Sequence, residues 1–267
     1  MSSDAQGPPI GAVHADGVAT IRFQRGATGN RLRVETLEAL CAAIDAAVAD
    51  TGVRTIVLAA DGRHFSSGAD MAFLDGLASA RAAEVRTYIY TWFQGAVRRL
   101  WQAPKPTLAL VNGAAVTVGC ELALACDFRL ASQGARFEES WIRLGLMAPL
   151  GGMFLLPRML GVARAKEMLL RGRALAADEA LAAGLVSAVV PRDELDEAGA
   201  AFAAELAALP PLAYAAAKEA LHRALQGTIE AEWSAGVLAQ AMLMGSADFT
   251  EGLAAFREKR KPRFTGG

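Results

Sequence analysis

Residues 103–132 read APKPTLALVNGAAVTVGCELALACDFRLAS, and the reading of this stretch decides the fold. Pro104 and Pro106 close the helical pattern that precedes them. PTLALVNG (106–113) is an apolar run of the kind found in strands buried on both faces. A turn rich in small residues follows, and near Val118–Gly119 the pattern becomes helical until the strand-like CDFRLAS (126–132). One residue stands out. Glu121 lies among Val116, Val118, Leu122, Ala123 and Leu124, with no basic residue nearer in sequence than Arg129. An unpaired buried carboxylate is expensive, so such a group is paired, neutralised or put to use.

Upstream, the same alternation of strand and helix recurs. GVATIRF (17–23) is a short β-branched strand ending in a Gly-containing loop, Gln24–Gly29. Val34–Asp50 carries Leu37, Leu40, Cys41, Ile44 and Val48 near a 3.6 period, an amphipathic helix closed by Gly52. RTIVLAA (54–60) is another buried strand, followed by the loop DGRHFSSGAD (61–70). Glu84–Gln102 reads as one helix, and ARFEESW (135–141) as a strand giving way to a helix.

Beyond Gly151 the character changes. Residues 152–160, 163–171, 177–183, 193–209, 212–225 and 228–245 read as helices, several of them alanine-rich. AAGLVSAVV is the exception within them. The expectation is an α/β core over residues 1–190, with right-handed crossovers, and a helical C-terminal region over 191–267. The tail FREKRKPRF (256–264) is strongly basic, which by charge alone also suits a solvated helix end.

Composition narrows the function classes. With 53% hydrophobic and 21% charged residues among 267, the chain can build a sizeable core. A formal charge of -1 gives no electrostatic reason to expect nucleic acid or an anionic membrane as a partner. The one 20-residue apolar stretch, Thr107–Cys126, is interrupted by Asn112, Gly113, Gly119 and Glu121, so no membrane span is expected. The N-terminus, MSSDAQGPPIGAV, has neither the basic nor the apolar region of a signal peptide. Cys41, Cys120 and Cys126 are odd in number and form no CxxC pair, which fits reduced thiols in the cytoplasm. GxSxG, GxGxxG, Walker A and HExxH are all missing, and the three histidines do not cluster, so no metal or nucleotide cofactor is expected.

Two segments remain, FSSGAD (65–70) and TVGCEL (117–122), each placing glycine just after a buried strand. Small residues at such turns expose backbone N–H groups, and a helix N-terminus favours negative charge. Two converging N–H groups would make an oxyanion hole for a thioester or similar carbonyl. Glu121 falls about one helical turn after Val118, where a carboxylate could move protons at the carbon beside that carbonyl. The same Glu could equally be a residue stabilised by the helix dipole.

At these residues the sequence resembles the crotonase superfamily, the enoyl-CoA hydratase/isomerase family. The resemblance runs from GVATIRFQR through HFSSGADM, residues 103–132, RLGLMAPLGGMFLLPRMLG and AADEALAAGLVSAVVP to SADFTEGLAAFREKRKPRF, nearly the whole chain in family order. It implies an α/β spiral of ββα turns with a C-terminal helical trimerisation region, assembled as trimers or hexamers. It implies an acyl-CoA thioester as substrate, with coenzyme A part of that substrate rather than a separate cofactor. The oxyanion donors would be the amides of Ala69 and Val118, and Glu121 matches the first catalytic Glu. Arg25, Ser67, Asp70 and Met71 resemble segments that hold CoA, as do Phe256 and Lys259, which in the family often reach over from an adjacent subunit.

There are departures too. TVG (117–119) replaces three glycines, and Trp141 stands where a hydratase carries its second Glu. Relatives that dehalogenate aryl-CoA thioesters share that Trp but need an attacking Asp eight residues later, where this chain has Pro149. Hydration would then need Glu138 or Glu139 to substitute, with Glu139 preferred, whereas a 1,3-proton shift needs only Glu121. A thioester hydrolase, a decarboxylase and a catalytically weakened acyl-CoA binder are the alternatives. Trp92, Phe93, Trp101, Trp141 and Phe154 would either line a pocket for a bulky acyl group or belong to the core.

Overall fold

The computed structural model describes residues 7–267; residues 1–6, part of the segment read as lacking a signal peptide, lie outside the described residues. Strands β1 (Ile10–Ala15) and β2 (Val18–Phe23) form an antiparallel hairpin. Its turn is Asp16–Gly17, both at positive φ, the conformation that suits a two-residue hairpin. Helix α1 (Val34–Ala49) leads into β3 (Thr55–Ala60). Helices α2 (Met71–Ala78), α3 (Ala82–Tyr88) and α4 (Gln94–Gln102) precede β4 (Thr107–Val111). Next come β5 (Ala114–Val116), α5 (Val118–Ala125), β6 (Phe128–Ser132) and β7 (Arg136–Glu138). They are followed by α6 (Gly152–Leu160), α7 (Val162–Arg171), β8 (Leu175–Ala176), α8 (Ala177–Ala182) and β9 (Ala188–Val190). The chain closes with α9 (Leu195–Ala207), α10 (Pro211–Ala224), α11 (Ile229–Met244) and α12 (Ala247–Glu258).

The main sheet runs β1-β2-β3-β4-β6-β9, parallel after the first pair, and a smaller sheet runs β5-β7-β8. Strand periodicity divides the core. In β3, Ile56, Leu58 and Ala60 face the larger cluster beneath α1, while Val57 and Ala59 face α9 with Leu108, Leu110 and Leu130. Burial on both faces explains why these strands are continuously apolar.

Two stretches depart from the expected pattern. Residues 84–102 are not one helix, because a π-helical turn at Ile89–Phe93 separates α3 from α4. The segment 135–141 is the three-residue β7 followed by a 3-10 turn, Ser140–Leu144.

All the strands of both sheets precede residue 191, yet α9 returns to cover the main sheet. Helix α10 is tied to the core through Asp127, whose Oδ2 accepts from Lys218 Nζ at 2.8 Å and Tyr214 Oη at 3.0 Å. Helix α11 is different: it buries none of its residues, and Trp233 and Met242 are 65% and 80% exposed. Among the described residues no single helix is long and apolar enough to cross a membrane.

Candidate active site

The loop after β3 is joined to β5 by a parallel bridge between Ser66 and Ala115. Ser66 N donates to the Ala114 carbonyl and Val116 N to the Ser66 carbonyl. Counting three residues onward along both chains from that bridge reaches Ala69 and Val118. The register of the bridge therefore gives Ala69 and Val118 equivalent positions on the two segments. Neither amide donates to a backbone carbonyl among the described residues. Val118 opens α5, so its N–H has no partner one turn earlier in the helix.

Close approach of the two segments depends on two glycines. Gly68 has φ +93°, and a Cβ there would lie 3.0 Å from the Val116 carbonyl and on top of Thr117 Oγ1. A Cβ on Gly119 would come within 2.6 Å of Ser66 Cβ. Ser66 has no room to yield, since its Oγ donates to the Asn30 carbonyl and accepts from Gly68 N. Thr117 itself adopts φ 47°, an unusual left-handed conformation for a β-branched residue, as the chain swings from β5 into α5.

Glu121 is fully buried. Its Oε1 accepts two backbone N–H bonds at 2.8 Å, from Leu150 and Gly152, while its Oε2 has no partner. Glycine at 152 makes that approach possible, because a Cβ would sit 3.2 Å from both Oε1 and Ala148 Cβ. Burial pushes the carboxyl up to about 7, against the opposing pull of the Gly152 and Leu150 amides and of the Trp141 indole. The direction is the one its apolar neighbours suggest. Arg129 offers no counter-charge, since its guanidinium is spent on the carbonyls of Ala123, Cys126 and Leu185.

Trp141, where the resemblance implies a second Glu, is buried; its Nε1 lies near enough to pull on the Glu121 carboxyl without completing a hydrogen bond. Glu139 is also buried with both carboxyl oxygens unpartnered. Desolvation and the nearby Glu121 push it well above the usual carboxylate range, and the Cys120 thiol opposes them. Glu138 points elsewhere, into ion pairs with Arg136 and Arg143. Buried polar atoms without partners are uncommon, and here Glu121, Glu139 and Trp141 all contribute them.

The CoA candidates divide. Ser67 and Met71 are exposed beside Ala69, as a substrate-facing loop would require. Asp70 is buried, caps α2 through the Phe73 amide and pairs with Arg33, which makes it a structural support of that loop. Arg25 donates to Glu35, and its Nε is buried without a partner. Phe256 is 84% exposed on α12, and Lys259 is the left-handed cap of that helix. The packing of α12 is against α11 and the C-terminal tail. Of the aromatic candidates, Phe93 is core and stacks on Phe73, whereas Trp101 and Phe154 line a cavity of about 240 Å³ that shares the Leu150–Gly151 wall with Glu121. The Leu150 and Gly152 donors were not anticipated. The Gly151–Gly152 pair ahead of a helix was the available signal for a close backbone approach.

The raised carboxyl also carries a stability cost with a definite sign. The unfolded chain releases this proton near 4.5 and the folded chain near 7, so stability falls as pH rises between the two and is level above. Glu121→Gln is neutral throughout, so it should gain roughly 3 kcal/mol on the wild type between pH 4 and pH 8. Urea midpoints at the two pH values check this; an unchanged difference would contradict it.

Residues 14–267 match the enoyl-CoA hydratase/isomerase family model. The 2,3-dehydroadipyl-CoA hydratase of Escherichia coli K12 is 34% identical over 93% of this chain and 95% of its own length. The 1,2-epoxyphenylacetyl-CoA isomerase of the same strain is 32% identical over 94% and 95%. The crystal structure of an enoyl-CoA hydratase from Bacillus anthracis superposes with a TM-score of 0.90 at 32% identity, covering 97% of this chain and all of that one. The chain belongs to the enoyl-CoA hydratase/isomerase family of the crotonase superfamily, and it has that fold. It is an enzyme of that family, consistent with an acyl-CoA substrate.

Proposed function

We propose that the protein moves a proton on an enoyl-CoA thioester through an enolate, with Glu121 as acid and base. The observation that carries this reading is the free Oε2 of a buried carboxyl near neutrality, one helical turn from the unpaired Val118 amide. The amides of Ala69 and Val118 donate to the thioester oxygen, where negative charge develops. Glu121 removes a proton from the α-carbon, and the electron pair moves into the carbonyl. Returning that proton at the γ-carbon completes a double-bond shift with one base and no net change in atoms.

Hydration is the second reading, and Glu139 favours it. A buried carboxyl pushed well above the usual carboxylate range, close to one poised near 7, is a pair that environment can set apart as one acid and one base. In that case water adds at the β-carbon and a proton at the α-carbon. Either reaction takes coenzyme A as part of the substrate. We assign Arg25, Ser67, Met71, Phe256 and Lys259 to the CoA end, with Asp70 shaping the loop. The exposed apolar α11 supports self-association as a trimer or hexamer, which would cover Trp233 and Met242. Three buried free thiols suit the cytoplasm.

The test is to incubate a 3-enoyl-CoA in D2O and weigh the product. A 2-enoyl isomer with deuterium but no added water supports the single-base reading. Gain of one water from the 2-enoyl thioester supports hydration. Neither product, with no deuterium incorporated, would sink both.

A further inference from the structure

We propose that the acyl chain ends in a carboxylate, received by Arg98 and Gln226 in a cavity walled by the loop that holds Glu121. This rests on the enoyl-CoA reading above. The cavity, about 240 Å³, is smaller than the roughly 300–1,000 Å³ of whole-ligand sites, so it suits the tail of a substrate rather than all of it. Its wall at Leu150 and Gly151 is the same loop whose amides hold Glu121, so a chain extending beyond the reacting carbons is led toward it. Val97, Trp101, Phe154 and Leu155 make the lining mostly apolar. Trp101 is held in place by stacking on His222 at 3.7 Å between ring centroids.

Arg98 is the exception in that lining. It donates to the Tyr90 carbonyl at 2.7 Å and lies 4.0 Å over the Tyr90 ring, so its position is fixed from one side. Tyr90 belongs to the π-helical turn that interrupts residues 84–102, a distortion often found at functional sites. Among the described residues Arg98 pairs with no carboxylate, although Arg99 next to it is bound to Asp45. A held guanidinium with donors to spare, at the edge of an apolar slot, is matched by an anion on a short apolar stem. Gln226, on the loop between α10 and α11, adds an amide that can donate to the same group. A plain alkyl tail would fill the slot and leave the cation facing hydrocarbon.

Binding of two saturated thioesters of equal length, adipyl-CoA and hexanoyl-CoA, tests this without turnover. Adipyl-CoA should bind the wild-type protein about tenfold more tightly, with the preference weakening at high salt. In Arg98→Gln the ratio should fall toward one, and Arg98→Lys should restore part of it. Equal affinities in the wild type, or a preference that survives Arg98→Gln, would overturn the inference. Should Arg98→Gln fail to fold, the wild-type ratio still decides. Turnover of enoyl thioesters without a carboxylate preference removes the tail assignment and keeps the proposed reaction; a preference without turnover does the reverse.

Discussion

Glu121→Gln should lower turnover by about 10²–10⁴-fold while leaving acyl-CoA binding in place. The substitution is nearly isosteric, and the glutamine oxygen can still accept from Leu150 and Gly152 at the position of Oε1. Its nitrogen falls where Oε2 has no partner, so no existing hydrogen bond is lost. What disappears is the ability to take and return a proton. Glu121→Ala would be a poorer probe, because it strands two buried N–H groups as well as removing the base. In the wild type the rate of proton removal should fall below about pH 7 as Glu121 takes up its proton. The fall should approach about tenfold per pH unit, and any residual rate in Glu121→Gln should lack that limb. Steady-state kinetics across pH 5 to 9 measure both. A variant with wild-type turnover would remove Glu121 from the chemistry.

Gly119→Ala should cost about 10²–10³-fold in kcat, the loss typical of a missing oxyanion donor. The added methyl would meet Ser66 at 2.6 Å, and Ser66 is fixed by bonds to Asn30 and Gly68. The relief available is to part the two loops, which separates Ala69 from Val118. Ala is otherwise the better helix residue, so the change removes no helical propensity from α5. The Glu121 carboxyl stays on its own helix with its own donors. The pH profile should therefore keep its midpoint near 7 while the whole curve drops. A drop confined to KM, or a displaced midpoint, would contradict a role for amide spacing.

The two substitutions differ in how plainly the sequence announced their sites. Glu121 was conspicuous because a charge among Val, Leu and Ala has few explanations. Strands β3 and β4 were equally plain, since burial on both faces leaves a continuous apolar run. By contrast β1, IGAVHA, exposes most of its residues and carries little pattern; the Asp16–Gly17 turn was its one clear signal. Strands β5, β8 and β9 have two or three residues each, too few for any period to register. The π turn breaks a helix without a proline or glycine to mark it.

Within the site, the amides of Leu150 and Gly152 were hidden because backbone groups leave no mark in side-chain identity. Glu138 and Glu139 are adjacent and chemically alike, so only the course of β7 into the 3-10 turn shows which one is buried. Trp141 was legible as a departure, while its place beside Glu121 was not.

The helix that carries Glu121 also carries one thiol and is capped by a second. Cys120 in the first turn of α5 and Cys126 at its C-cap are both buried, and burial holds each thiol well above its ordinary range. A thiolate-seeking reagent can reach them when α5 leaves its seat, so in the native state they behave as a sealed clock. The rate at which they react counts openings of the element that bears Glu121, independently of any chemistry at the thioester. Fast reaction would mean that α5 breathes on its own; slow reaction, at the rate of global unfolding, would mean that Glu121 and the core rise and fall together.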